Sequence, residues 1–307
     1  MIKFVYKILL FFGIVSLFDV GYGLLCKSLT SKAKGGTTYH YYYSAKATDE
    51  DVILMGSSRM CRHYNPSIIS DSLNMTVYNT GVKGNGIILN YGILNLILER
   101  YSPKLIVYDV FSFDMYNDER FADDDARYLD NLKDYYDNDE IKDIFAKVNP
   151  LEMYKMHSML YRYNSKLPRL IGDCLYPMEK YDRGYNPYYG SMDYAPDLED
   201  GRNDQLDVDT LKLYYVRKFI EKAQGQGVPV VISASPRYGV SPVNHYNDPI
   251  KDICKEYNVP FFDYYADDAI VNNKEYFHDS NHLNNIGADV FSTTFVNELK
   301  KYLNNED

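Results

Sequence analysis

Asp51-Val52-Ile53-Leu54-Met55-Gly56-Ser57-Ser58-Arg59-Met60 is the stretch whose reading decides the fold. Four apolar residues, Val52 to Met55, run into a glycine and two serines, the pattern of a buried strand entering a tight turn. Asn65-Pro66 follows, an N-cap with proline at the first helical position. Ser57 and Ser58 are therefore expected in a loop between the carboxyl end of a strand and a helix. Open α/β sheets bind ligands at that edge. A serine there can also do no more than satisfy backbone donors, so its meaning depends on the rest of the chain.

Outward from this stretch, residues 76–78, 105–111, 228–235 and 260–264 read as four further strands. Helices are expected from Pro66 to Leu73 and over 87–100, 209–223, 250–257 and 285–302. Gly225 and Gly227 stop the third of these. The last is amphipathic, with Val290, Phe291, Phe295, Val296 and Leu299 on its apolar side. Strands alternating with helices predict an α/β fold with a five-stranded parallel sheet, right-handed crossovers and helices on both faces. Residues 112–207 break this rhythm and read as an insertion after the third strand. Within it lie helical pieces at 140–147 and 151–163, a Tyr/Pro/Gly-rich stretch at 176–196 and an acidic run at 197–209.

A net charge of -10 with no long basic run argues against nucleic acid as a partner. The chain has 33 Tyr and no Trp. Tyr joins a flat apolar face to a polar tip, which suits sugar-like ligands, although compositional drift gives the same count. Cys26, Cys61, Cys174 and Cys254 are scattered and form no C-x-x-C pair, so zinc and thioredoxin-like chemistry lack support. After the second strand, Asn79-Thr80-Gly81-Val82-Lys83-Gly84-Asn85-Gly86 is a glycine-rich loop leading into a helix, an arrangement that suits an anion. It has neither G-x-G-x-x-G spacing nor a Walker lysine, and no cofactor is expected.

The N-terminus is apolar from Phe4 to Leu25 apart from Lys7, Ser16 and Asp19. As a helix this segment is roughly 33 Å long, enough to cross a bilayer core. Lys3 and Lys7 precede or open it, and no small-x-small cleavage site follows, which reads as an uncleaved anchor over residues 1–26. Asp19 within a span costs about 3 kcal/mol on insertion scales and calls for a polar partner. Alternatively the span ends near Phe18 and Asp19 sits at the interface. Residues 27–50 read as a linker, and 51–307 as the α/β domain.

Phe277-His278-Asp279-Ser280-Asn281-His282-Leu283-Asn284 precedes the last helix. At three residues' separation, a carboxylate and an imidazole can meet locally, as a hydrolytic triad requires. Alone, the same spacing also describes an N-cap and a surface histidine. Together, strand-G-S-S-R, N-x-G-x-x-G after the next strand and D-x-x-H-L-N before the final helix resemble the SGNH (GDSL-like) hydrolase family. The resemblance implies a flavodoxin-like three-layer fold. It implies Ser58 as nucleophile, His282 as general base and Asp279 as its orienting partner. Ser58 and Gly84 would supply oxyanion N–H groups. The family's third block, G-x-N-D, is here Val110-Phe111-Ser112-Phe113-Asp114 and lacks the Asn; Ser112 or Asn85 could stand in. Arg59, Asn79, Tyr185, Tyr188 and Tyr189 are candidates for substrate contact. With its anchor, the chain is similar to a membrane-tethered branch that moves or removes O-acyl groups on cell-surface polysaccharides. Some of its members work beside a membrane-bound O-acyltransferase. The resemblance thus implies an extracytoplasmic esterase or acyltransferase, or a catalytically weak glycan-binding relative.

Overall fold

The computed structural model describes residues 1–117, 129–176, 181–194, 207–241 and 245–304. In chain order the elements are α1 (Ile2–Lys32), α2 (Gly36–Lys46), β1 (Val52–Gly56), α3 (Ser58–His63), α4 (Pro66–Leu73), β2 (Val77–Asn79), α5 (Ile87–Leu98) and β3 (Leu105–Asp109). Then come α6 (Asp139–Val148), α7 (Pro150–Lys155), α8 (Met159–Arg162), α9 (Leu167–Leu175), α10 (Thr210–Gly225), β4 (Val230–Ala234), α11 (Asp248–Glu256) and β5 (Phe261–Asp263). The chain closes with α12 (Asp268–Val271), β6 (Phe277–Asp279), β7 (His282–Leu283) and α13 (Asn285–Asn304). Two compact units result: Met1–Tyr43 with Leu129–Lys180, and Ser44–Tyr128 with Tyr181–Asp307.

In the second unit, β2-β1-β3-β4-β5 form one five-stranded sheet, parallel at every pairing. Every residue of β1, β3 and β4 is buried, because side chains alternate between two covered faces. Val52, Leu54, Leu105, Val107 and Val231 share a cluster with Ile69 of α4 and Phe291, Phe295 and Leu299 of α13. On the opposite face Tyr108 meets Phe219 of α10 with ring centroids 5.1 Å apart. Val290 is exposed, so the apolar side of α13 is narrower than expected. The chain reverses direction across the sheet between β1 and β3. The crevice outside their carboxyl ends is therefore the topological switch point, where this fold class binds ligands. Ser58 follows β1 after a single residue, Ser57.

The first unit revises two expectations. Residues 27–50 are largely helical, 27–32 continuing α1 and 36–46 forming α2. Part of the expected insertion, 129–180, belongs with the N-terminal helix rather than with the sheet. The cause is a set of polar and small contacts with no sequence periodicity. The Asp19 carboxylate accepts from Ser158 Oγ (2.7 Å), Met159 N (2.9 Å) and Leu160 N (2.8 Å), closing the open N-terminus of α8. Asp19 thus has the polar partner its position demanded. Gly23, Cys26 and Thr30, spaced three and four apart, form the buried stripe of α1. The single expected helix over 151–163 is two, because Ser158 caps a fresh start through Tyr161 N. Residues 197–206 of the acidic run lie outside the described residues.

Candidate active site

Gly56 ends β1 at φ +156, and a Cβ there would lie 2.9 Å from the Asp109 carbonyl of β3. Only glycine lets the chain turn out of the sheet so close to its neighbour. Ser57 then caps α3, its hydroxyl accepting from Arg59 N at 3.4 Å. The sequence predicts a loop here; in the structure Ser58 is the first residue of a helix. Its amide belongs to the first turn, where no intrahelical acceptor exists.

The other half of the site is a hairpin that composition did not reveal. β6 and β7 pair antiparallel, with Asp279 opposite His282. Asp279 Oδ1 accepts from Asn281 N (2.8 Å) and His282 N (3.0 Å), an Asx turn that fixes the loop. The same carboxylate lies 2.9 and 3.0 Å from His282 Nδ1. A carboxylate only accepts, so Nδ1 carries the proton and Nε2 is bare. Nε2 is 2.8 Å from Ser58 Oγ, across 224 positions of sequence. The hydroxyl can therefore give its proton to an imidazole already held in the accepting tautomer. Burial alone would raise the Asp279 value. The hydrogen bond from His282, its charge and the two amides outweigh burial and hold the carboxyl below the usual range.

The remaining expected site residues divide. Gly84 sits exposed in the loop after β2, while Asn85 is buried and spends a carboxamide proton on Lys83 O (2.9 Å). Ser112 is fully buried and its hydroxyl donates to Asn247, so that proton is committed away from an oxyanion. Asn79 is also fully buried, its carboxamide bonding Met60 O, Tyr64 O and Gly81 N, so it builds the loop. Tyr185 packs in the core cluster beneath the site, which corrects its assignment as a substrate contact.

Arg59 is a correction of the same kind. Its guanidinium is buried and donates to Ser235 Oγ (3.1 Å), Ser235 O and Pro236 O, with Asp109 at 3.9 Å. Asp109 accepts in turn from Tyr64 OH (2.7 Å), Ser235 N (2.8 Å) and Ser235 Oγ (3.0 Å). Burial pushes Asp109 up to about 6, against the pull of Arg59 and these hydrogen bonds. Arg59→Leu leaves that carboxyl without its cation and is expected to cost about 3–5 kcal/mol of stability. The folded value of Asp109 lies above its ordinary 3.8, so its stabilising contribution is full below 3.8 and lost as pH rises through about 6. Without Arg59 that window extends upward, so urea midpoints should show a deficit that grows from about pH 5 to about pH 8. An unchanged midpoint with a raised KM would return Arg59 to the substrate.

Tyr188 does reach the site. Its ring meets His282 edge-on at 5.5 Å. Arg62 Cζ lies 3.9 Å from its centroid, and the His278 ring stacks on it at 4.2 Å and 17°. Two groups that close to one centroid must occupy opposite faces. Tyr188 is thus the filling of a sandwich and presents an edge and a hydroxyl, not a free stacking face. Tyr189 is 72% exposed and its carbonyl accepts from His278 Nδ1 at 3.2 Å. The segment carrying both is strapped across the site: Asn79 N donates to Arg183 O, Asn186 N to Cys61 O, and Asn285 N to Tyr188 O. Gly184, at φ +83, passes so close to the Asn79 carbonyl that a side chain has no room. Arg62 and His278 were missed by sequence reading. Arg62, four residues beyond Ser58 on a helix, lies on the same face as Ser58, a usable signal once α3 is known.

No protein-family profile and no curated protein sequence matches the chain. Solved structures that follow a similar course include a psychrotrophic esterase from Pseudoalteromonas sp. (11% identity, 83% of this chain and 99% of that one, TM-score 0.43). Another is an acetyl xylan esterase (12%, 82% and 98%, 0.41). A third is a GDSL-like lipase from Bacteroides thetaiotaomicron (12%, 82% and 88%, 0.37). The chain has an α/β fold with a five-stranded parallel sheet. Ser58 on α3 and Asp279 and His282 on the β6–β7 hairpin meet in one hydrogen-bonded line.

Proposed function

We propose that the protein is a membrane-anchored serine esterase or O-acyltransferase acting on acyl esters, foremost acetyl esters, of cell-surface glycans. The observation that supports this reading is the continuous relay Ser58 Oγ–His282 Nε2, His282 Nδ1–Asp279. His282 takes the hydroxyl proton as Ser58 Oγ bonds the acyl carbon. The oxyanion is met by the amides of Ser58 and Gly84. The tetrahedral species collapses, His282 returns its proton to the departing sugar oxygen, and the acyl group stays on Ser58. Water, or a second sugar hydroxyl, then attacks through the same imidazole and frees the serine. Tyr188, Tyr189 and His278 would line the sugar side. The test is incubation of the full-length protein with an O-acetylated oligosaccharide and an unacetylated acceptor. Acetate release or acetyl transfer is expected; neither appearing would contradict the proposal.

A second reading, a catalytically weak or inactive glycan-binding or assembly protein, is favoured by one observation. Ser112, which stands in the third block, has committed its one hydroxyl proton to Asn247 and offers none to an oxyanion. A missing donor costs about 10²–10³ in kcat. Saturable binding of the same oligosaccharide with no turnover would select this reading.

The anchor is the first part of α1, the one helix among the described residues long and apolar enough to cross a membrane. With it in a bilayer, the catalytic unit lies on the extracytoplasmic side, where a membrane-bound O-acyltransferase could supply or receive acyl groups. Because the chain has no Trp, Phe12→Trp introduces a single indole. In reconstituted vesicles its fluorescence should be quenched by lipids brominated on their acyl chains. Emission unaffected by those lipids would place the helix outside the bilayer.

A further inference from the structure

The site holds a third imidazole that the acyl-transfer steps do not use. His63, the last residue of α3, is fully buried. Its Nε2 accepts from Leu283 N at 3.0 Å, the amide immediately after the general base. Its Nδ1 lies 3.0 Å from Ser235 Oγ. The bonding of that hydroxyl fixes every proton. Ser235 Oγ donates to Asp109 and already accepts from Arg59 Nε, so one lone pair remains for His63. His63 must therefore carry its proton on Nδ1 and leave Nε2 bare, which is what the Leu283 amide requires. Burial, then the charges of Arg59, His282 and Arg62, push its value well below the ordinary histidine range, so the ring stays neutral. Asp109 is the nearest acidic group in this network, one hydroxyl away.

We infer that His63 is a positioning residue that registers the general base to the nucleophile, by holding the β7 backbone through Leu283. α3 carries Ser58 at its start and His63 at its end; β7 carries His282 and Leu283. The reactive hydrogen bond Ser58–His282 is thus doubled by an unreactive one, His63–Leu283, between the same two elements. The reactive bond disappears on every turnover, because an acylated Ser58 has no proton to donate. At that stage the second bond, with Asp279, keeps His282 aimed at the acyl carbon for deacylation. The two rings stand edge to face at 6.2 Å, so a shift of one element against the other moves them directly.

This inference rests on Ser58 and His282 working as a pair, and the experiment separates the two claims. In the full-length protein, His63→Gln keeps a carboxamide oxygen at the reach of Nε2, whereas His63→Asn keeps only a group near Nδ1. The readouts are kcat and KM for 4-nitrophenyl acetate and the rate of Ser58 phosphonylation by a fluorophosphonate. His63→Asn should lower kcat and the phosphonylation rate about 10–100-fold with KM little changed, as expected of misplacement on the order of an ångström. His63→Gln should stay within about threefold of the wild type. A wild type inert to both reagents overturns the pair itself. A reactive wild type with equal losses in Gln and Asn overturns the role of His63. A further arm needs no variant to fold: ¹⁵N spectra of [¹⁵N]histidine-labelled wild type should show His63 with Nδ1 protonated and Nε2 bare from about pH 5 to about pH 8. A proton on Nε2 overturns the inference.

Discussion

Ser58→Ala is expected to lower ester cleavage by about 10⁴-fold or more, leaving only what binding and the two oxyanion amides provide. The expectation follows from the division of labour between the two serines. Ser58 Oγ faces His282 Nε2 at 2.8 Å, while Ser57 Oγ faces the Arg59 amide. Ser57→Ala removes a helix cap worth about 1 kcal/mol and should leave turnover nearly untouched. The measurement is kcat/KM for 4-nitrophenyl acetate in both variants, with circular dichroism confirming the fold. A loss in Ser57→Ala equal to that in Ser58→Ala would mean that the cap, not the hydroxyl, carries the activity.

Asp279→Asn should be nearly as damaging, at about 10⁴-fold in kcat. Asparagine can offer an N–H where the carboxylate accepts. The imidazole then protonates at Nε2 and presents a proton to Ser58 instead of a lone pair. The wild-type carboxyl is held below its ordinary value, so it is ionised at neutral pH. A depressed carboxyl contributes stability that is present above about 3.8 and lost as pH falls through its lower folded value. Asp279→Asn should therefore flatten the acid end of the stability profile as well as the rate. Retention of near-wild-type kcat would remove Asp279 from the triad.

Much of this site was legible because its determinants are local. The run Val52–Gly56 followed by two serines is a strand and turn in any context, and Asp279 with His282 closes its own Asx turn. The order of these motifs placed the site at the sheet's carboxyl edge. What was not legible depends on distant chain. Arg59 looks like a surface cation beside a nucleophile, but Asp109 and Ser235, 50 and 176 residues away, draw it inside. Tyr188 reads as a sugar platform until Arg62 and His278 cover both faces. α1 shows no apolar asymmetry that would announce Met159 and Tyr163 as neighbours; its packing is set by Asp19 and small residues. The hairpin β6–β7 was missed because strands of three and two residues carry too little alternation to be read.

The central claim is that Ser58 is made nucleophilic by His282, and covalent mapping tests it most directly. The full-length protein is treated with a fluorophosphonate, its intact mass is measured, and the modified peptide is sequenced. One equivalent of adduct on Ser58, formed at a rate that collapses in His282→Ala, is the predicted result. An adduct on another residue, or a wild type that stays unmodified while a reference serine esterase reacts to completion, would contradict it.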